Sequence, residues 1–297
     1  MPGKWIVYIL SVVLLFGCSQ EQVVNEVDTG TGKDAQWEMV RNPGSDIETH
    51  DLVVLELFTS EGCSDCPASD DALSLLIKEV WKSEKNIIPV AFHIDYWNDL
   101  VDGEGDCEGK WIDIYSSGNN SFRQFAYCRV MDARPATPQL MINGAEYVYD
   151  PDKGMMDSLI AGYTGQVPLY GLDLSLNKEN SDFANRRIAV DFSFAKQKEV
   201  PDKFRKDIAA QLQVLLVERG LESKPDKGEN CGNTLRHNNV VRAVTAKTLR
   251  AVRKGTVIIE YPEDADLSDC SVTGYIQDLK NMQIIGGTKG FDLKKVQ

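Results

Sequence analysis

Two cysteines, Cys63 and Cys66, stand between a strand pattern and a helix pattern, and this junction constrains the fold more than any other part of the chain. Residues 52–60 are nearly all apolar and β-favouring, which is typical of a strand buried on both faces. After Cys66, apolar residues recur every three or four positions as far as residue 81. Pro67 suits the first turn of such a helix. The sequence therefore predicts a CxxC dithiol where a buried strand passes into an amphipathic helix.

The residues that follow predict a strand, a helix, a hairpin and a closing helix. These elements are expected at 86–97, 121–132, 137–150 and 152–163. The hairpin opens on Thr137-Pro138 and turns at Asn143-Gly144, a favoured dipeptide for tight turns. Together with the first strand and helix, this order is the thioredoxin arrangement. We therefore predict an α/β thioredoxin-like domain over residues 51–165.

Four motifs in this region carry a family resemblance: ELFTSEGCSDCP, FHIDYW, RQFAY and TPQLMING. They resemble an exported bacterial thioredoxin-like family known as domain of unknown function 1223, and the resemblance covers about residues 51–165. It implies a thioredoxin-like fold and an exported location, but no proven activity. The chain departs from the family pattern at residues 101–110 and at Cys107 and Cys128, beside the expected active edge.

Beyond residue 165 the pattern changes to short stretches that alternate apolar and polar residues, with turn residues between them. This pattern predicts an all-β sandwich over residues 166–297. We interpret residues 219–244 as one long connection, with basic residues that either pin it to the sandwich or form a small contact site: Arg236, His237 and Arg242. The stretches LRHNNVVRA and VTGYIQDLKNMQIIGGT resemble the C-terminal part of certain bacterial outer-membrane lipoproteins. The predicted fold class is thus a thioredoxin-like α/β domain followed by an all-β sandwich domain.

The N-terminus predicts export. Residues 5–16 form an apolar stretch too short to span a bilayer comfortably, but long enough for a signal-peptide core. The stretch LLFGC resembles a bacterial lipoprotein signal, which implies removal of residues 1–17 and a lipid on Cys18. The alternative is an ordinary signal peptide, in which Cys18 carries no lipid. Residues 18–50 are polar and aperiodic and predict a flexible tether. We expect a lipid-anchored protein of the cell envelope, in the outer membrane and facing the periplasm.

The charge of the chain argues against a nucleic-acid partner. The formal net charge is -13, and nucleic acids and anionic lipid surfaces both repel an acidic protein. We therefore expect contact with a membrane only through the N-terminal lipid.

The cysteine count allows complete pairing once Cys18 carries lipid, because six cysteines then remain. Cys63–Cys66 is the local pair. The other four cysteines allow three pairings, of which we favour Cys107–Cys128 and Cys231–Cys270, because each bridge then stays inside one predicted domain. No metal site is predicted, because the three histidines are widely separated and there is no second CxxC.

The position of the dithiol suggests roles for its two sulfurs. A helix N-terminus stabilises negative charge, so we assign Cys63 as an attacking thiolate that solvent can reach and Cys66 as the more covered resolving thiol. Pro138 is predicted to be a cis-proline facing the sulfurs. The thioredoxin-like resemblance implies that the backbone of Thr137 is open to pair with a substrate strand.

Other polar residues are candidates for supporting roles. Glu56, in the first strand, would handle the proton of Cys66 or else be a solvated carboxylate at an edge. His93, Asp95 and Tyr96 are candidates for the substrate cleft or else cap the second strand. Acidic residues crowd the dithiol turn and oppose thiolate formation, which favours a reductase or isomerase over an oxidase: Glu61, Asp65, Asp70 and Asp71.

These features predict an exported thiol–disulfide oxidoreductase that acts through its dithiol on cysteine-containing envelope proteins, with a redox partner still to be identified. No cofactor is required, because the dithiol itself carries the electrons. The alternative is a non-enzymatic envelope lipoprotein or binding module in which Cys63–Cys66 is a permanently closed structural bridge.

Overall fold

Strands and helices alternate through the first half of the computed structural model, which describes residues 51–81, 83, 85–197, 209–249 and 252–296. Each element expected there is present, within a few residues of its predicted bounds. In chain order they are β1 (Val53–Thr59), α1 (Cys66–Val80), β2 (Ile87–His93), α2 (Gly118–Met131), β3 (Gln139–Ile142), β4 (Glu146–Tyr149) and α3 (Lys153–Tyr163).

Local signals explain where these helices begin. Pro67 lies in the first turn of α1, where its missing N–H costs nothing. The side chain of Ser117 caps α2 by accepting from the backbone N–H of Asn120. Asp152 caps α3 in the same way, with Met155 as the donor. Such caps satisfy N–H groups that have no partner within the helix.

The second half is made almost entirely of strands. They are β5 (Tyr170–Leu176), β6 (Arg187–Lys196), β7 (Ala210–Glu218), β8 (Leu221–Ser223), β9 (Leu235–His237), β10 (Val240–Thr248), β11 (Lys254–Glu260), β12 (Cys270–Asp278) and β13 (Ile284–Asp292), followed by a short helix α4 (Leu293–Val296). The alternating stretches predicted as strands correspond to β5, β6, β7, β11, β12 and β13. The predicted long connection, residues 219–244, instead contains β8, β9 and the start of β10.

One sheet joins the two halves. Its eleven strands run in the order β11-β6-β5-β13-β12-β7-β10-β2-β1-β3-β4, and β8 and β9 form a separate two-stranded ladder. The join is between β10 and β2, which lie parallel with Val240 opposite Ala91. The backbone N–H of Ala91 donates to Asn239 O at 2.9 Å. Pairing with β10 satisfies backbone groups on one side of β2 that an edge strand would leave open.

The predicted fold class is wrong, because the described residues are mostly β and eleven of their strands form one mixed sheet, rather than a thioredoxin-like α/β domain with a separate sandwich. The halves also share a core. Val54 and Phe92 of the first half pack in one buried cluster with Leu215, Val217 and Tyr275 of the second. The boundary at residue 165 marks where strand–helix alternation ends, and as a domain boundary it stays a prediction.

The expected signal peptide, the lipidation site Cys18 and the tether lie outside the described residues. Among those that are described, no helix combines the length and the hydrophobicity needed to cross a bilayer.

Candidate functional site

The dithiol lies where β1 gives way to α1. Cys63 and Cys66 form a disulfide with their Cα atoms 5.4 Å apart, and Cys66 is the first residue of α1. The Cys63 sulfur lies 3.5 Å from the backbone carbonyl oxygen of Thr137. The Thr137–Pro138 peptide is cis, as predicted. Four predicted site residues, which come from two distant parts of the chain, are thus brought together.

Both sulfurs are covered, which contradicts the expectation that solvent reaches Cys63. Cys63 is 2% exposed and Cys66 is not exposed at all. Ser64 and Asp65, between them, are exposed. Residues 224–234 of the second half, which we call the covering loop, contact this turn: the Asn230 side chain donates to the Cys63 carbonyl oxygen at 2.8 Å. The burial of Cys63 could not be predicted from the residues next to the CxxC motif, because this loop comes from the second half of the chain.

Two tryptophans support the dithiol turn. The indole N–H of Trp97 donates to Thr137 Oγ1 at 2.8 Å. A Cβ at Gly62 would lie 3.0 Å from the Trp97 Cβ, so the turn approaches this ring as closely as a glycine allows. The indole N–H of Trp111 donates to Glu61 Oε2 at 2.7 Å. Trp111 therefore holds the turn through a hydrogen bond to Glu61, whereas Trp97 packs against Gly62 and holds Thr137.

A buried histidine from the second half pairs with two acids of the dithiol turn and α1. His237 Nε2 lies 3.3 Å from Glu61 Oε1, and Nδ1 lies 3.4 Å from Asp70 Oδ2. Burial lowers the pKa of His237, but its contacts with Asp70 and Glu61 outweigh burial and raise the pKa to about 10. His237 is therefore a cation at neutral pH. It offsets part of the negative charge that the sequence alone places around the dithiol.

His93 belongs to the same buried cluster rather than to an open cleft. Its Nδ1 lies 2.7 Å from Asp113 Oδ2, which also accepts from the backbone N–H of Glu61 at 3.0 Å. Burial raises the pKa of Asp113, but His93 and these hydrogen bonds outweigh it and hold the pKa below its usual value. The His93 ring centre lies 4.7 Å from that of His237. The cluster thus links β2 and β9 to the dithiol turn.

The other two predicted cleft residues have separate roles. Asp95 Oδ1 accepts from Ser121 Oγ at 2.5 Å, and its backbone N–H donates to the same hydroxyl, so Asp95 holds the start of α2. Tyr96 is half-buried and stacks on Phe125 with ring centres 6.1 Å apart. Burial raises the pKa of Tyr96 to about 12, so its hydroxyl stays protonated at neutral pH.

Glu56 is not a solvated carboxylate at an edge of the sheet. It is fully buried, and both carboxylate oxygens accept from the Arg123 guanidinium, at 2.9 and 3.1 Å. The hydroxyls of Tyr127 and Tyr275 donate to the same carboxylate. In β1, Leu55 and Leu57 share the buried cluster that contains α1, so Glu56 projects from the other face of the sheet. Its carboxylate is engaged on the face of the sheet opposite α1, and its role in handling the proton of Cys66 stays a prediction.

The two predicted long-range disulfides are also wrong. Cys107 pairs with Cys231, with Cα atoms 5.7 Å apart. In the part of the chain that the structure describes, Cys128 and Cys270 are free and buried. The prediction assumed that bridges stay within one half. The covering loop instead carries Cys231 across to the first half, and the entropy cost of closing so long a loop grows only logarithmically with its length.

Some residues of this site carry no recognisable sequence signal. Asp113, Trp111 and Asn230 come from irregular segments without periodicity. The sequence predicts that His237 either pins its loop to a sandwich or forms a small contact site; in the structure it holds the chain against the dithiol turn. The described residues contain no group of three or more His, Cys, Asp or Glu side chains arranged to hold a metal ion.

Replacing His237 with glutamine is expected to destabilise the protein by about 2 kcal/mol at pH 6, because it leaves buried carboxylates without their cation. The folded-state pKa of His237 lies above its unfolded value, so its contribution is fully present below about pH 6.5 and is lost as the pH rises through about 10. Urea unfolding at pH 6, 8 and 10 should therefore show the difference from wild type shrinking with pH.

The control for this experiment is Arg236→Gln, which changes an exposed neighbour on β9 that pairs with Glu222. Its effect should stay within about 0.5 kcal/mol. A stability difference for His237→Gln that is the same at all three pH values would contradict the assignment.

The comparisons with known proteins identify relatives but no activity. The family model described as "Protein of unknown function (DUF1223)" matches residues 54–277, so it extends well beyond the resemblance at residues 51–165 and includes both halves of the sheet. No curated protein matches the chain.

Among solved structures, protein AGR_C_4864 from Agrobacterium tumefaciens is 22% identical, with a TM-score of 0.55 over 81% of this chain and 94% of that one. HBP35 of Porphyromonas gingivalis is 14% identical, with the same TM-score over 81% of this chain and 74% of that one. A domain of the outer membrane lipoprotein Omp28 from Porphyromonas gingivalis is 9% identical over 40% of this chain and 92% of that domain, with a TM-score of only 0.25. On the family match, which covers most of its length, the chain belongs to the DUF1223 family.

Proposed function

We propose that the chain performs thiol–disulfide exchange through Cys63 and Cys66, and that its substrates are cysteine-containing proteins of the cell envelope. One observation carries this proposal. The two cysteines form a disulfide at the start of α1, and the Cys63 sulfur lies against the backbone of Thr137, beside the cis Thr137–Pro138 peptide. The envelope location is part of the proposal and depends on the apolar segment at residues 5–16 and on Cys18.

The chemistry needs only the two sulfurs and a partner. In the reduced protein, the Cys63 thiolate attacks a substrate disulfide and releases one substrate thiolate, which takes up a proton. The Cys66 thiolate then attacks the mixed disulfide, releases the second substrate thiol and closes the Cys63–Cys66 bond. Two electrons pass from the protein to the substrate, and a reductant of the thiol class must restore the dithiol. The free N–H groups at the start of α1 favour the Cys63 thiolate.

The electrostatic surroundings favour a reductase or isomerase. Asp65 and Asp71 are exposed acids near the start of α1, and they disfavour a stable thiolate. The positive charge of His237 compensates for part of the negative charge of the buried acids. That charge is already paired with two carboxylates, those of Glu61 and Asp70. A thiolate without strong stabilisation corresponds to a comparatively stable disulfide, hence to a more reducing pair.

The test is reduction of a model disulfide protein such as insulin, with dithiothreitol as the electron source. Cys63→Ser and Cys66→Ser should each lower the catalysed rate to the uncatalysed background. The matched control is Cys128→Ser, which removes a buried free cysteine that takes no part in either disulfide and should keep most of the wild-type rate. Full activity in the Cys63→Ser variant would refute the proposal.

A closed structural bridge is the second candidate, and the burial of both sulfurs favours it. The two candidates differ in how the folded protein responds to mild reductant. If Cys63 and Cys66 remain unalkylated after treatment with dithiothreitol under conditions that preserve the fold, the bridge is structural. If they become alkylated while the fold persists, exchange is the better account.

A further inference from the structure

The covering loop, residues 224–234 between β8 and β9, contacts the dithiol turn directly. The Asn230 side chain donates to the backbone carbonyl oxygens of Glu61 and Cys63, at 2.9 and 2.8 Å, and is itself buried. The Glu229 carboxylate accepts from the backbone N–H of Ser64 at 2.8 Å. The residues on both sides of Cys63 are therefore held by the loop.

A disulfide fastens this loop to a second irregular segment. Cys231 of the covering loop is bonded to Cys107, which ends a short turn of 3-10 helix. Two further contacts join the same segments: the backbone N–H of Gly228 donates to Cys107 O at 2.9 Å, and Lys227 Nζ donates to Asp106 O at 2.8 Å. The covering loop is thus covalently closed over the dithiol turn.

The two disulfides differ in their access to solvent. Cys63 and Cys66 are 2% and 0% exposed, whereas Cys107 and Cys231 are only half-buried. Thiol exchange requires an attacking sulfur to reach the disulfide, so access decides which bond reacts first. In the folded protein, a reductant therefore meets the Cys107–Cys231 bond before it can meet the Cys63–Cys66 bond.

We propose that the Cys107–Cys231 disulfide is a redox latch that controls access to Cys63–Cys66. A dithiol reductant attacks one sulfur of the latch and displaces the other as a thiolate, which takes up a proton. The second thiol of the reductant then resolves the mixed disulfide. Two thiols form at Cys107 and Cys231, and the reductant becomes a disulfide, so the step transfers two electrons.

Opening the latch frees the covering loop from its covalent closure. The loop is then held by the hydrogen bonds of Asn230 and Glu229. A loop held in this way opens locally far more readily than the core. Cys63–Cys66 becomes accessible to a second exchange. The order of reduction does not require a protein substrate, but the regulatory meaning of the latch depends on the proposed function of the dithiol.

The test compares the full chain with its Cys107→Ser/Cys231→Ser variant. Each protein is treated with dithiothreitol below the concentration that unfolds it, quenched with N-ethylmaleimide at intervals, and mapped by peptide mass spectrometry. In wild type, thiols at Cys107 and Cys231 should precede those at Cys63 and Cys66, and molecules open only at Cys63–Cys66 should not accumulate. In the variant, the Cys63–Cys66 bond should open at least about tenfold faster.

A second variant guards against a folding defect in the first. Asn230→Ala keeps both disulfides and removes the contacts with Glu61 and Cys63, and it should speed opening of Cys63–Cys66 severalfold. Asn233→Ala is the matched control, because it makes the same change at an exposed position in the same loop and should behave as wild type. Circular dichroism before and after reduction checks that each protein stays folded.

The result that would refute the latch alone differs from the result that would also refute the exchange function. If Cys63–Cys66 opens at the same measurable rate in wild type and both variants, or opens first in wild type, the latch is refuted while the proposed exchange function stands. If Cys63–Cys66 stays closed in every folded protein even after the latch has opened or been removed, both the latch and the exchange function are refuted.

Discussion

Replacing Arg123 with methionine is expected to destabilise the fold by about 4 kcal/mol, because it leaves the carboxylate of Glu56 buried without its counter-charge. Arg123 donates to both oxygens of Glu56 and, at 2.8 Å, to the hydroxyl of Tyr127. Its guanidinium also lies over the rings of Phe92, Tyr127 and Tyr275, with the group 5.1 to 5.5 Å from each centre. Denaturant unfolding measures the loss directly.

Arg129→Met is the matched control, since Arg129 lies on the same helix but is exposed. It should cost less than about 0.5 kcal/mol. The double variant Glu56→Leu/Arg123→Met should recover part of the loss, because it removes the stranded charge; the hydroxyls of Tyr127 and Tyr275 would still lack their acceptor. A loss below about 1 kcal/mol for Arg123→Met would show that this ion pair does not support the core.

Glu56→Gln separates a structural role from a role in thiol chemistry. It should lower stability while leaving the opening rate of Cys63–Cys66 in dithiothreitol unchanged, because the Glu56 carboxylate is engaged on the opposite face of the sheet from α1. A change in that rate, measured well below the unfolding transition, would bring Glu56 back as a proton-handling group.

Replacing Gly144 with alanine is expected to cost about 3 kcal/mol, for two reasons that act together. Gly144 has a φ of +61°, which residues with a Cβ rarely adopt, and a Cβ there would overlap the carbonyl oxygen of Met282. The β3–β4 turn also docks on the second half, where the backbone N–H of Ile284 donates to Asn143 O at 2.8 Å. The substitution therefore strains a contact between the two halves of the chain.

Gly105→Ala is the matched control, because Gly105 has a similar φ of +59° with open space where a Cβ would be. It should cost only about 1 kcal/mol, the penalty of the left-handed conformation. Thermal unfolding of Gly144→Ala, followed by far-ultraviolet circular dichroism and by tryptophan fluorescence, should give one coincident transition, since the halves share a sheet and a core. Two separate transitions, or equal costs for both glycines, would contradict the continuous architecture.

Signals within short stretches of sequence predict most helices and strands of the first half of the chain. A strand buried on both faces, the apolar period of α1 and the Asn143-Gly144 turn are signals contained within short windows. The cis Thr137–Pro138 peptide and the nearness of Thr137 to Cys63 were also anticipated. The pairing of Glu56 with Arg123 could not be predicted, because the identity of one residue does not show which face of a sheet its side chain occupies or which partner it meets there.

The strands of the second half could be predicted from the sequence, but their arrangement in the sheet could not. The strand that joins the halves, β10, begins in the stretch interpreted as a connection, so nothing in the pattern revealed its pairing with β2. Strands β7 and β12 lie mid-sheet and are buried along most or all of their length, whereas alternation had suggested strands with one face in a sandwich core. A prediction based on neighbouring residues therefore separated the strands of the two halves, which the structure joins in one continuous sheet.

By itself, the sequence determined the strand–dithiol–helix junction, the identity of most helices and strands, and the residues available for thiol chemistry, because periodicity, caps and turn residues act over a few positions. The tertiary structure alone decided that strands from both halves form one eleven-stranded sheet, that Cys107 meets Cys231, and that His237 and Asn230 lie at the dithiol turn. These contacts join residues more than a hundred positions apart. They are selected by burial and backbone pairing across the whole chain, which no short window of sequence contains.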